Sequence, residues 1–401
     1  MGASLDHARE LDAACVMQTY ARKPVMFVRG EGMRLYDDTG REYLDFVAGI
    51  GAVNLGHAHP GVAAAVAEQA AKLVHVSNLF YVEHRAELAC DIVRLLGGGM
   101  RVFFANSGAE ANEGAIKLAR RWARDAKPGA STIVTTHRSF HGRTLATLAA
   151  TGQPNKQEAF APLPTGFVHT PLNDIEALDE ALDDSVAALL LEIVQGEGGV
   201  WEADASYLAE AERLCRERGI LFMLDEVQTG FYRTGPAFAH QTYGLSPDVV
   251  TLAKAMANGL PVGAVVARDE VAAAFRPGDH GSTFGGGPVV CAAGRATLAA
   301  LEAEELGENA RRSGEYLRSG LRELGQRTGH VADVRGAGLM CGCTLMGAEA
   351  SDIAARLLGR GLVVNHIGAD ILRFLPPLVC GTPEIDTLLS SLGQVLEEVA
   401  G

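Results

Sequence analysis

The chain has 401 residues, of which 48% are hydrophobic and 21% are charged, a balance typical of a soluble globular protein with a sizeable core. Its 49 acidic and 35 basic residues give a net charge of −14, and no run of Lys or Arg forms a basic stripe. We therefore expect neither nucleic acid nor an anionic membrane as a partner. The apolar run at residues 186–194 is interrupted by Glu192 and is too short to span a bilayer.

Cysteine usage and the N-terminal segment bear on the compartment. The seven cysteines are scattered and form no CxxC pair, which argues against a disulfide framework and against a zinc site. The first residues mix acidic with apolar side chains and contain no signal-peptide core. We expect a protein of the reducing cytoplasm that is neither exported nor inserted into a membrane.

From about residue 60 onward, stretches with a helical hydrophobic period alternate with short apolar runs, which predicts an α/β core with a mostly parallel sheet. The predicted helices lie at residues 60–73, 82–96, 110–125 and 206–218. The predicted strands lie at residues 101–105, 132–136, 187–194, 220–224, 248–253 and 263–267. Ligands in such sheets bind beyond the carboxyl ends of the strands, so the loops that follow these strands are the candidate site.

The two ends of the chain have a different pattern. Residues 33–46 contain two β-prone runs around a turn at 37–40, which predicts a hairpin. After about residue 290, long helices alternate with β-prone runs at 330–346 and 371–378. We predict that the N-terminal segment 1–58 joins the C-terminal segment 289–401 in a smaller α+β domain beside a large domain at 59–288.

Several common motifs are absent from the sequence. It contains no P-loop, no GxGxxG, no GxSxG and no HExxH. The imidazoles of His57 and His59 in GHAHP have no suitably spaced Cys or carboxylate partner, so we interpret them as structural groups of a turn and predict no metal site.

Lys254 is the most informative of the six lysines. The other five lie in helix or loop contexts with polar neighbours, where a solvated ammonium is expected. Lys254 ends the apolar run DVVTLAK and precedes a loop with Gly and Pro, so its amine should emerge at the carboxyl edge of a core strand. Such a lysine is either a structural side chain that extends to solvent or a partly desolvated amine suited to Schiff-base chemistry.

Asp225 complements Lys254. It ends the strongly apolar run GILFMLD, where burying a carboxylate without a cationic partner costs several kcal/mol. A protonated pyridine nitrogen would be such a partner, and the carboxylate would keep that nitrogen protonated so that the ring accepts electrons.

A third candidate is the turn between the strand RVFFA and the following helix. Ser107 and Gly108 precede a helix that begins near Ala109, and a helix N-terminus with a glycine and a hydroxyl can bind a phosphate group. Ser107 alone is equally consistent with a simple helix N-cap. Each of the three features is a weak functional signal alone. Their combination, this turn with Lys254 and Asp225 in one βα scaffold, is a stronger signal.

These segments belong to a longer series of motifs. The chain contains SGAEANEGAIKLAR, SFHGRT, E-x-x-QGEGG, LDEVQTG-x-x-RTG, LAKAMANGLPVGA, HGSTFGG and RFLPPL in that order. Over nearly its whole length it resembles class III (ω-amino-acid) aminotransferases, and most of all the branch that acts on N-acetylornithine. The resemblance implies fold type I, with a large mostly parallel-sheet domain that binds pyridoxal 5′-phosphate and a smaller α+β domain.

The resemblance also implies roles for cofactor-binding residues. Lys254 would bind the cofactor covalently and Asp225 would contact the pyridine nitrogen, so these two are the catalytic residues. The other cofactor-binding positions implied are Ser107, Gly108 and Ala109 at the phosphate, Phe140 and Val227 on the two ring faces, Gln228 near the ring hydroxyl, and Thr283 at the phosphate of a neighbouring subunit's cofactor. The active sites would then be shared within a homodimer.

Substrate binding is assigned by resemblance to two arginines and a glutamate. Arg143 in FHGRT and Arg373 in RFLPPL match positions that bind substrate carboxylates, for which a guanidinium is well suited. Glu197 in QGEGG matches a glutamate that pairs with one of these arginines and moves aside for a dicarboxylate. Glu192 also matches, with a local supporting role.

The implied reaction moves the terminal amino group of N-acetylornithine to 2-oxoglutarate, a step of arginine biosynthesis, and gives N-acetylglutamate semialdehyde and glutamate. Ornithine-specific relatives have a tyrosine where this chain has Ile50, which favours an acylated donor. The alternatives are succinyldiaminopimelate, ornithine or 4-aminobutyrate as donor, a decarboxylase of the same superfamily, or a non-catalytic protein that keeps the fold. The sequence does not determine the detailed shape of the substrate pocket, because four residues depart from the family pattern. These residues are Ile193, Tyr232, Ala255 and Gly287.

Overall fold

A computed structural model of the chain describes residues 4–400. The first three residues of the predicted segment 1–58 and the last residue of the predicted segment 289–401 lie outside this range. The helices are α1 Leu5–Cys15, α2 Ala48–Gly51, α3 Pro60–Lys72, α4 Arg85–Leu95, α5 Gly108–Ala126, α6 Leu145–Ala150, α7 Pro154–Gln157, α8 Ile175–Ala181, α9 Ala205–Arg218, α10 Asp269–Ala272, α11 Pro288–Ala303, α12 Leu306–Thr328, α13 Ala350–Gly359 and α14 Thr382–Ala400. Short 3₁₀ turns span Glu158–Phe160, Ala239–Tyr243 and Lys254–Ala257.

The strands form one large sheet and several small ones. They are β1 Phe27–Glu31, β2 Arg34–Asp37, β3 Glu42–Asp45, β4 Met100–Ala105, β5 Thr132–Thr136, β6 Phe167–Thr170, β7 Val186–Leu191, β8 Val194–Gln195, β9 Trp201–Glu202, β10 Leu221–Asp225, β11 Val249–Leu252, β12 Gly263–Arg268, β13 Val331–Ala337, β14 Met340–Leu345, β15 Leu362–Val363, β16 Asn365–Ile367 and β17 Ile371–Phe374.

The large sheet has seven strands in the order β4-β12-β11-β10-β7-β5-β6. Only β12 runs antiparallel to its neighbours β4 and β11, and the pairings among β11, β10, β7, β5 and β6 are all parallel. Every residue of the interior strand β7 is buried, as expected for a strand covered by helices on both faces. The predicted mostly parallel α/β core is confirmed.

The parallel strands place their carboxyl ends on one edge of the sheet. That edge carries Ala105 at the end of β4, Asp225 at the end of β10 and Leu252 at the end of β11. The loops that follow these strands carry Ser107, Val227 and Lys254. The topology therefore gathers three segments that lie far apart in sequence.

Two predicted element boundaries were wrong for local reasons. The run 187–194 is not one strand, because β7 ends at Leu191 and β8 begins only at Val194; between them, the Glu192 carboxylate accepts a 2.8 Å hydrogen bond from the Phe140 N–H. The helix predicted from residue 82 begins at Arg85, because His84 has a left-handed backbone with φ 68°.

The ends of the chain form smaller sheets. The predicted hairpin is present as β2 and β3, and its turn is held by the Asp37 carboxylate, which accepts from the N–H groups of Thr39 and Arg41 at 2.9 and 3.0 Å. β3 pairs in parallel with β15 near the other end of the chain, with Leu44 opposite Leu362. This pairing supports the joining of the two ends, while the domain boundaries at residues 58 and 288 stay a prediction. Within residues 4–400, no helix has the length and hydropathy needed to cross a membrane.

Candidate active site

Lys254 lies two residues beyond the end of β11 and opens a short 3₁₀ turn with a strained positive φ of 44°. Burial lowers the pKa of Lys254 to about 8, and the positive charge of Arg373 acts in the same direction. The carboxylates of Glu197, Asp225 and Glu192 oppose this shift without cancelling it. The site therefore supplies an amine that loses its proton more readily than an ordinary lysine.

The Asp225 side chain is only 5% exposed and each of its oxygens is hydrogen-bonded. Oδ2 accepts from the Asn112 amide at 2.7 Å and lies 2.8 Å from Nδ1 of His141. Oδ1 accepts from the Val227 N–H at 3.0 Å. Because an ionised carboxylate only accepts, His141 donates from Nδ1, and Asp225 is fixed in orientation by these three donors.

The orientation of Asn112 is itself determined. Its amide nitrogen also donates to the His141 carbonyl at 2.8 Å, and its oxygen accepts from the Thr251 hydroxyl at 2.7 Å. Asn112 is 1% exposed and lies on the buried face of α5 with Ala111 and Ala115. Nε2 of His141 is buried and has no partner among residues 4–400.

The N-terminus of α5 forms a second wall. The Ser107 hydroxyl caps the helix by accepting from the Glu110 N–H at 3.1 Å, and the N–H groups of Gly108 and Ala109 are among those that a helix leaves unpaired in its first turn. A Cβ on Gly108 would lie 2.8 Å from Cγ1 of Val227. Only glycine therefore allows the helix start and the strand end to approach so closely.

These groups line one cavity of about 380 Å³. The sequence-predicted residues in its wall are Ser107, Gly108, Ala109, Phe140, Arg143, Glu192, Asp225, Val227, Gln228 and Lys254. Apolar side chains complete part of the wall, namely Ala52, Leu260, Pro261 and Val262. Lys254 and Asp225, predicted from two separate strand ends, thus share one cavity.

Phe140 connects the cavity to two charged residues. Its N–H donates to Glu192, and the Arg143 guanidinium carbon lies 5.5 Å from its ring centroid. Burial first, and then repulsion by Asp225, raise the pKa of Glu192 well above its usual value. Arg143 is exposed, and no carboxylate of the described residues pairs with it, so its guanidinium is available to an incoming anion.

Arg373 and Glu197 form an ion pair beside the cavity. Arg373, on β17, is 2% exposed and donates to the Glu197 carboxylate at 2.5 Å. Burial works to raise the pKa of Glu197, but attraction to Arg373 and Lys254 outweighs it, so this pKa lies below its usual value.

Further contacts fix the guanidinium of Arg373. Nε and Nη2 donate to Asn365 on the neighbouring strand β16 at 3.0 and 2.7 Å. Nη1 donates to the Gly196 carbonyl at 3.0 Å and lies 3.4 Å from Oε1 of Gln228. The pair is thus connected to the cavity wall through Gln228.

Thr283 is the predicted site residue that lies apart from the cavity. It is exposed and lines a separate surface groove together with Ser77, Asn78 and Arg85. No group of three or more His, Cys, Asp or Glu side chains placed to hold a metal ion occurs within residues 4–400. The two histidines of GHAHP each face a carboxylate, His57 with Asp45 at 2.7 Å and His59 with Glu304 at 3.0 Å.

Four residues of the site were missed by sequence reasoning, namely Asn112, His141, Thr251 and Asn365. A polar Asn112 on the apolar stripe of α5 was an available signal, because buried polar groups require partners. His141 lies between the predicted Phe140 and Arg143. Asn365 gives no such signal, since only the pairing of β16 with β17 places it beside Arg373.

Comparisons with known proteins agree with this geometry. The family model described as class-III aminotransferase matches residues 16–396. An acetylornithine aminotransferase of Caldanaerobacter subterraneus is 49% identical over 96% of this chain and 98% of that protein. Another of Gloeobacter violaceus is 51% identical over 94% of each chain.

Solved structures are similar over the full length. An ornithine aminotransferase of Toxoplasma gondii has a TM-score of 0.95 and 32% identity, covering 100% of this chain and 96% of that one. Another structure of the T. gondii enzyme is described with partial occupancy of PLP at its active site. An acetylornithine aminotransferase of Elizabethkingia anophelis has a TM-score of 0.89 and 33% identity, covering 99% of this chain and all of that one.

The cavity residues fit the cofactor of this family, pyridoxal 5′-phosphate. The α5 N-terminus suits a phosphate, the fixed carboxylate of Asp225 suits a protonated pyridine nitrogen, and the amine of Lys254 suits an aldehyde. Gly108, which has no side chain, lets Val227 pack directly against the helix start, where the two residues share the cavity wall. From the family match over residues 16–396 and from relatives near 50% identity, the chain belongs to the class-III aminotransferases, which use pyridoxal 5′-phosphate.

Proposed function

We propose that this protein transfers the terminal amino group of N-acetylornithine to 2-oxoglutarate, giving N-acetylglutamate semialdehyde and glutamate. The relatives at 44–51% identity that carry the name acetylornithine aminotransferase support this assignment. The observation that carries the chemistry is that Lys254 and Asp225 line one cavity. A buried lysine with a lowered pKa that shares a cavity with a buried carboxylate is typical of a catalytic site.

In the proposed site, the N–H groups of Gly108 and Ala109 and the Ser107 hydroxyl bind the cofactor phosphate. Phe140 and Val227 would pack against the two faces of the ring, and Gln228 would lie near the ring hydroxyl. Asp225 would hold the protonated pyridine nitrogen. Bound pyridoxal phosphate supplies an aldehyde that exchanges amines and a ring that accepts an electron pair.

Lys254 performs the proton transfer in this proposal. Its amine, with a pKa lowered to about 8, would take the proton from the donor carbon that bears the amino group and, as the ammonium, would hold it for return to the cofactor carbon. Burial favours the neutral form that this task needs. Asp225 would face the ring nitrogen with an orientation that its three hydrogen-bond donors already fix.

The two arginines divide the substrate carboxylates. Exposed Arg143 binds a carboxylate at the outer side of the cavity, and Arg373 binds the second carboxylate of 2-oxoglutarate. With N-acetylornithine bound, Glu197 stays on Arg373, as in the 2.5 Å pair. One pocket can then accept a donor with a single carboxylate and an acceptor with two.

The wall of the cavity supports an acylated donor. Ala52, Leu260 and Val262 offer no side-chain acceptor for a free α-ammonium group. Ile50 is apolar as well, 41% exposed, with φ 65°. Ornithine is the second candidate, because the structural match to an ornithine aminotransferase has a TM-score of 0.95.

The test is a donor panel scored by glutamate formation, with N-acetylornithine, N-succinyl-diaminopimelate, ornithine and 4-aminobutyrate. We expect the highest kcat/KM with N-acetylornithine. A higher value for ornithine or 4-aminobutyrate would reassign the substrate, and release of carbon dioxide would indicate a decarboxylase.

We also propose a homodimer in which Thr283 reaches the partner's cofactor phosphate. Leu79, Phe80 and Phe284 are 86%, 63% and 65% exposed, and Asn78 joins their segments by donating to the Ser282 carbonyl at 2.7 Å. Such a contiguous apolar surface is typical of an interface. Sedimentation should give twice the chain mass, and Phe284→Glu should yield monomers that retain the cofactor poorly. A monomer with full cofactor affinity would contradict this proposal.

Cytoplasmic residence is the remaining proposal. All seven cysteines lie within residues 4–400 and all are free thiols, as expected in a reducing compartment. Fractionation of the source cells with an antibody against the protein would test it.

A further inference from the structure

The loop that carries Glu197 has a fixed backbone. It connects β8 to β9, and a Cβ on Gly198 would lie 2.6 Å from the Arg138 carbonyl oxygen. Gly199 has φ +119°, a conformation that glycine adopts readily and other residues do not. The loop is therefore packed tightly at Gly198, and its backbone at Gly199 has a conformation that requires glycine.

A second arginine of the small sheets anchors the same loop. Arg335, on β13, donates from Nε to the Gly199 carbonyl at 2.8 Å. Its guanidinium carbon lies 3.9 Å from the ring centroid of Trp201, the first residue of β9. When Glu197 leaves Arg373, its side chain must rotate while the loop stays in place.

A released Glu197 carboxylate needs a new partner. It is largely buried, with 26% of the side chain exposed, and a buried carboxylate that loses its cation is strongly destabilised. Any cation that receives it must lie beside the loop and be free of another carboxylate. Arg335 is excluded because it already pairs with Asp333 at 2.8 Å.

Lys156, on α7, meets both conditions. The sequence predicts a solvated ammonium there, but the side chain is half-buried, and its one polar contact within residues 4–400 is donation to Oε1 of Gln153. The Gln153 amide nitrogen donates to the Arg138 carbonyl at 3.3 Å, the same oxygen against which Gly198 packs. The Gln153 amide and the Arg138 carbonyl therefore connect the ammonium to the Glu197 loop.

The local charges agree with this placement. Burial and the nearby charge of Arg143 lower the pKa of Lys156, and attraction to Glu197 opposes them. The same attraction is one of the influences that lower the pKa of Glu197. Lys156 and Glu197 are thus within electrostatic reach of each other while Glu197 is still paired with Arg373.

We propose that Lys156 is a positioning residue that binds the Glu197 carboxylate after a dicarboxylate substrate displaces it from Arg373. This inference rests on the proposed function, in which Arg373 binds the second carboxylate of 2-oxoglutarate. Lys156 lowers the free energy of the state that accepts two carboxylates more than that of the state that accepts one, because only in the first would it bind the Glu197 carboxylate directly. It would therefore determine how well the enzyme binds its acceptor relative to its donor.

The test measures equilibrium binding of two unreactive five-carbon ligands to the holoenzyme by calorimetry. Glutarate carries two carboxylates and displaces Glu197, whereas valerate carries one and does not. Lys156→Gln should weaken glutarate binding about three- to fivefold and leave valerate binding unchanged. Lys156→Arg keeps the charge and should retain most of the glutarate affinity.

A double-mutant cycle with Glu197→Gln separates the possible causes. If Lys156 acts through Glu197, Lys156→Gln should have no further effect on glutarate binding in the Glu197→Gln background. An undiminished effect there would show that Lys156 contacts the ligand itself and would overturn the proposal, as would unchanged glutarate binding in the single variant. If Glu197→Gln alone fails to tighten glutarate binding, the switch in the proposed function is wrong instead.

Discussion

The cofactor end and the substrate end of the cavity are built from different interactions. At the cofactor end, Asp225 is held by Asn112, His141 and the Val227 N–H at 2.7–3.0 Å. At the substrate end, the Glu197 carboxylate is held by its ion pair with Arg373, and Arg143 has no carboxylate partner among the described residues. Short-range hydrogen bonds fix one geometry, whereas charges can exchange partners.

This difference corresponds to the two tasks of an aminotransferase. The cofactor stays in place through both half-reactions and benefits from a rigid site. The two substrates differ in charge and enter in turn, so their site needs two electrostatic states. Substitutions at the two ends of the cavity should therefore have different effects on cofactor retention, stability and substrate binding.

Lys254→Ala should produce the largest effect, because it removes the group proposed to move the proton. We expect multiple turnover to fall by a factor of about 10²–10⁴ or more. Covalent retention of the cofactor after borohydride reduction, measured by mass spectrometry, should disappear. Unimpaired turnover would disprove the assignment, and Lys127→Ala provides a control lysine outside the cavity.

Asn112 tests the rigid end. Asn112→Leu leaves the Thr251 hydroxyl and the Asp225 carboxylate each without one partner, which should cost about 1–3 kcal/mol of unfolding free energy and weaken cofactor retention. Asn112→Asp should weaken retention further, because a second carboxylate would lie 2.7 Å from Asp225. Urea unfolding and cofactor titration measure the two effects. Equal cofactor affinity in both variants and the wild type would show that Asp225 needs no support from Asn112.

The two arginines should differ in their effect on stability. Arg373→Ala leaves the largely buried Glu197 carboxylate unpaired and should lower the unfolding free energy by about 1.5–3 kcal/mol. Arg143→Ala removes an exposed side chain and should change stability by less than about 0.5 kcal/mol while raising the KM for substrates. Thermal unfolding together with steady-state kinetics checks both. Equal losses of unfolding free energy in the two variants would contradict the view that Arg373 is ion-paired and Arg143 is not.

The pH dependence of cofactor capture should show the smallest effect. The neutral amine of Lys254 is the nucleophile, so capture by apoenzyme should accelerate as pH rises and level off above about 8 instead of near 10.5. Glu197→Gln removes an attraction that raises this pKa, so the profile should move to lower pH. Stopped-flow absorbance over a pH series measures it. A profile that still rises at pH 10 would contradict the lowered pKa.

Much of the large sheet could be predicted because its central strands are continuous apolar runs. Those runs also placed Lys254 and Asp225 at strand ends, which is sufficient to suggest a shared site. The hairpin β8–β9 was not predicted, since its strands have two residues each and carry no periodic signal. Helix α1 was not predicted either, and none of its residues is buried.

The substrate end was predictable only by resemblance. The pairing of Glu197 with Arg373 joins residues that are 176 positions apart, and nothing in their local sequences states that they meet. The burial of Lys156 likewise depends on how α7 packs, so its sequence context suggested an ordinary solvated ammonium. Residues whose roles come from strand ends were accessible to physical reasoning, whereas residues whose roles come from long-range charge pairing were not.

The most direct test of the account separates the two half-reactions. Holoenzyme mixed with N-acetylornithine alone should convert its cofactor to the amino form and release one semialdehyde per site. Later addition of 2-oxoglutarate should restore the aldehyde form and release one glutamate per site. An absorbance spectrum that does not change with N-acetylornithine but does change with ornithine or 4-aminobutyrate would contradict the proposed donor, and no change with any donor would contradict the proposed activity.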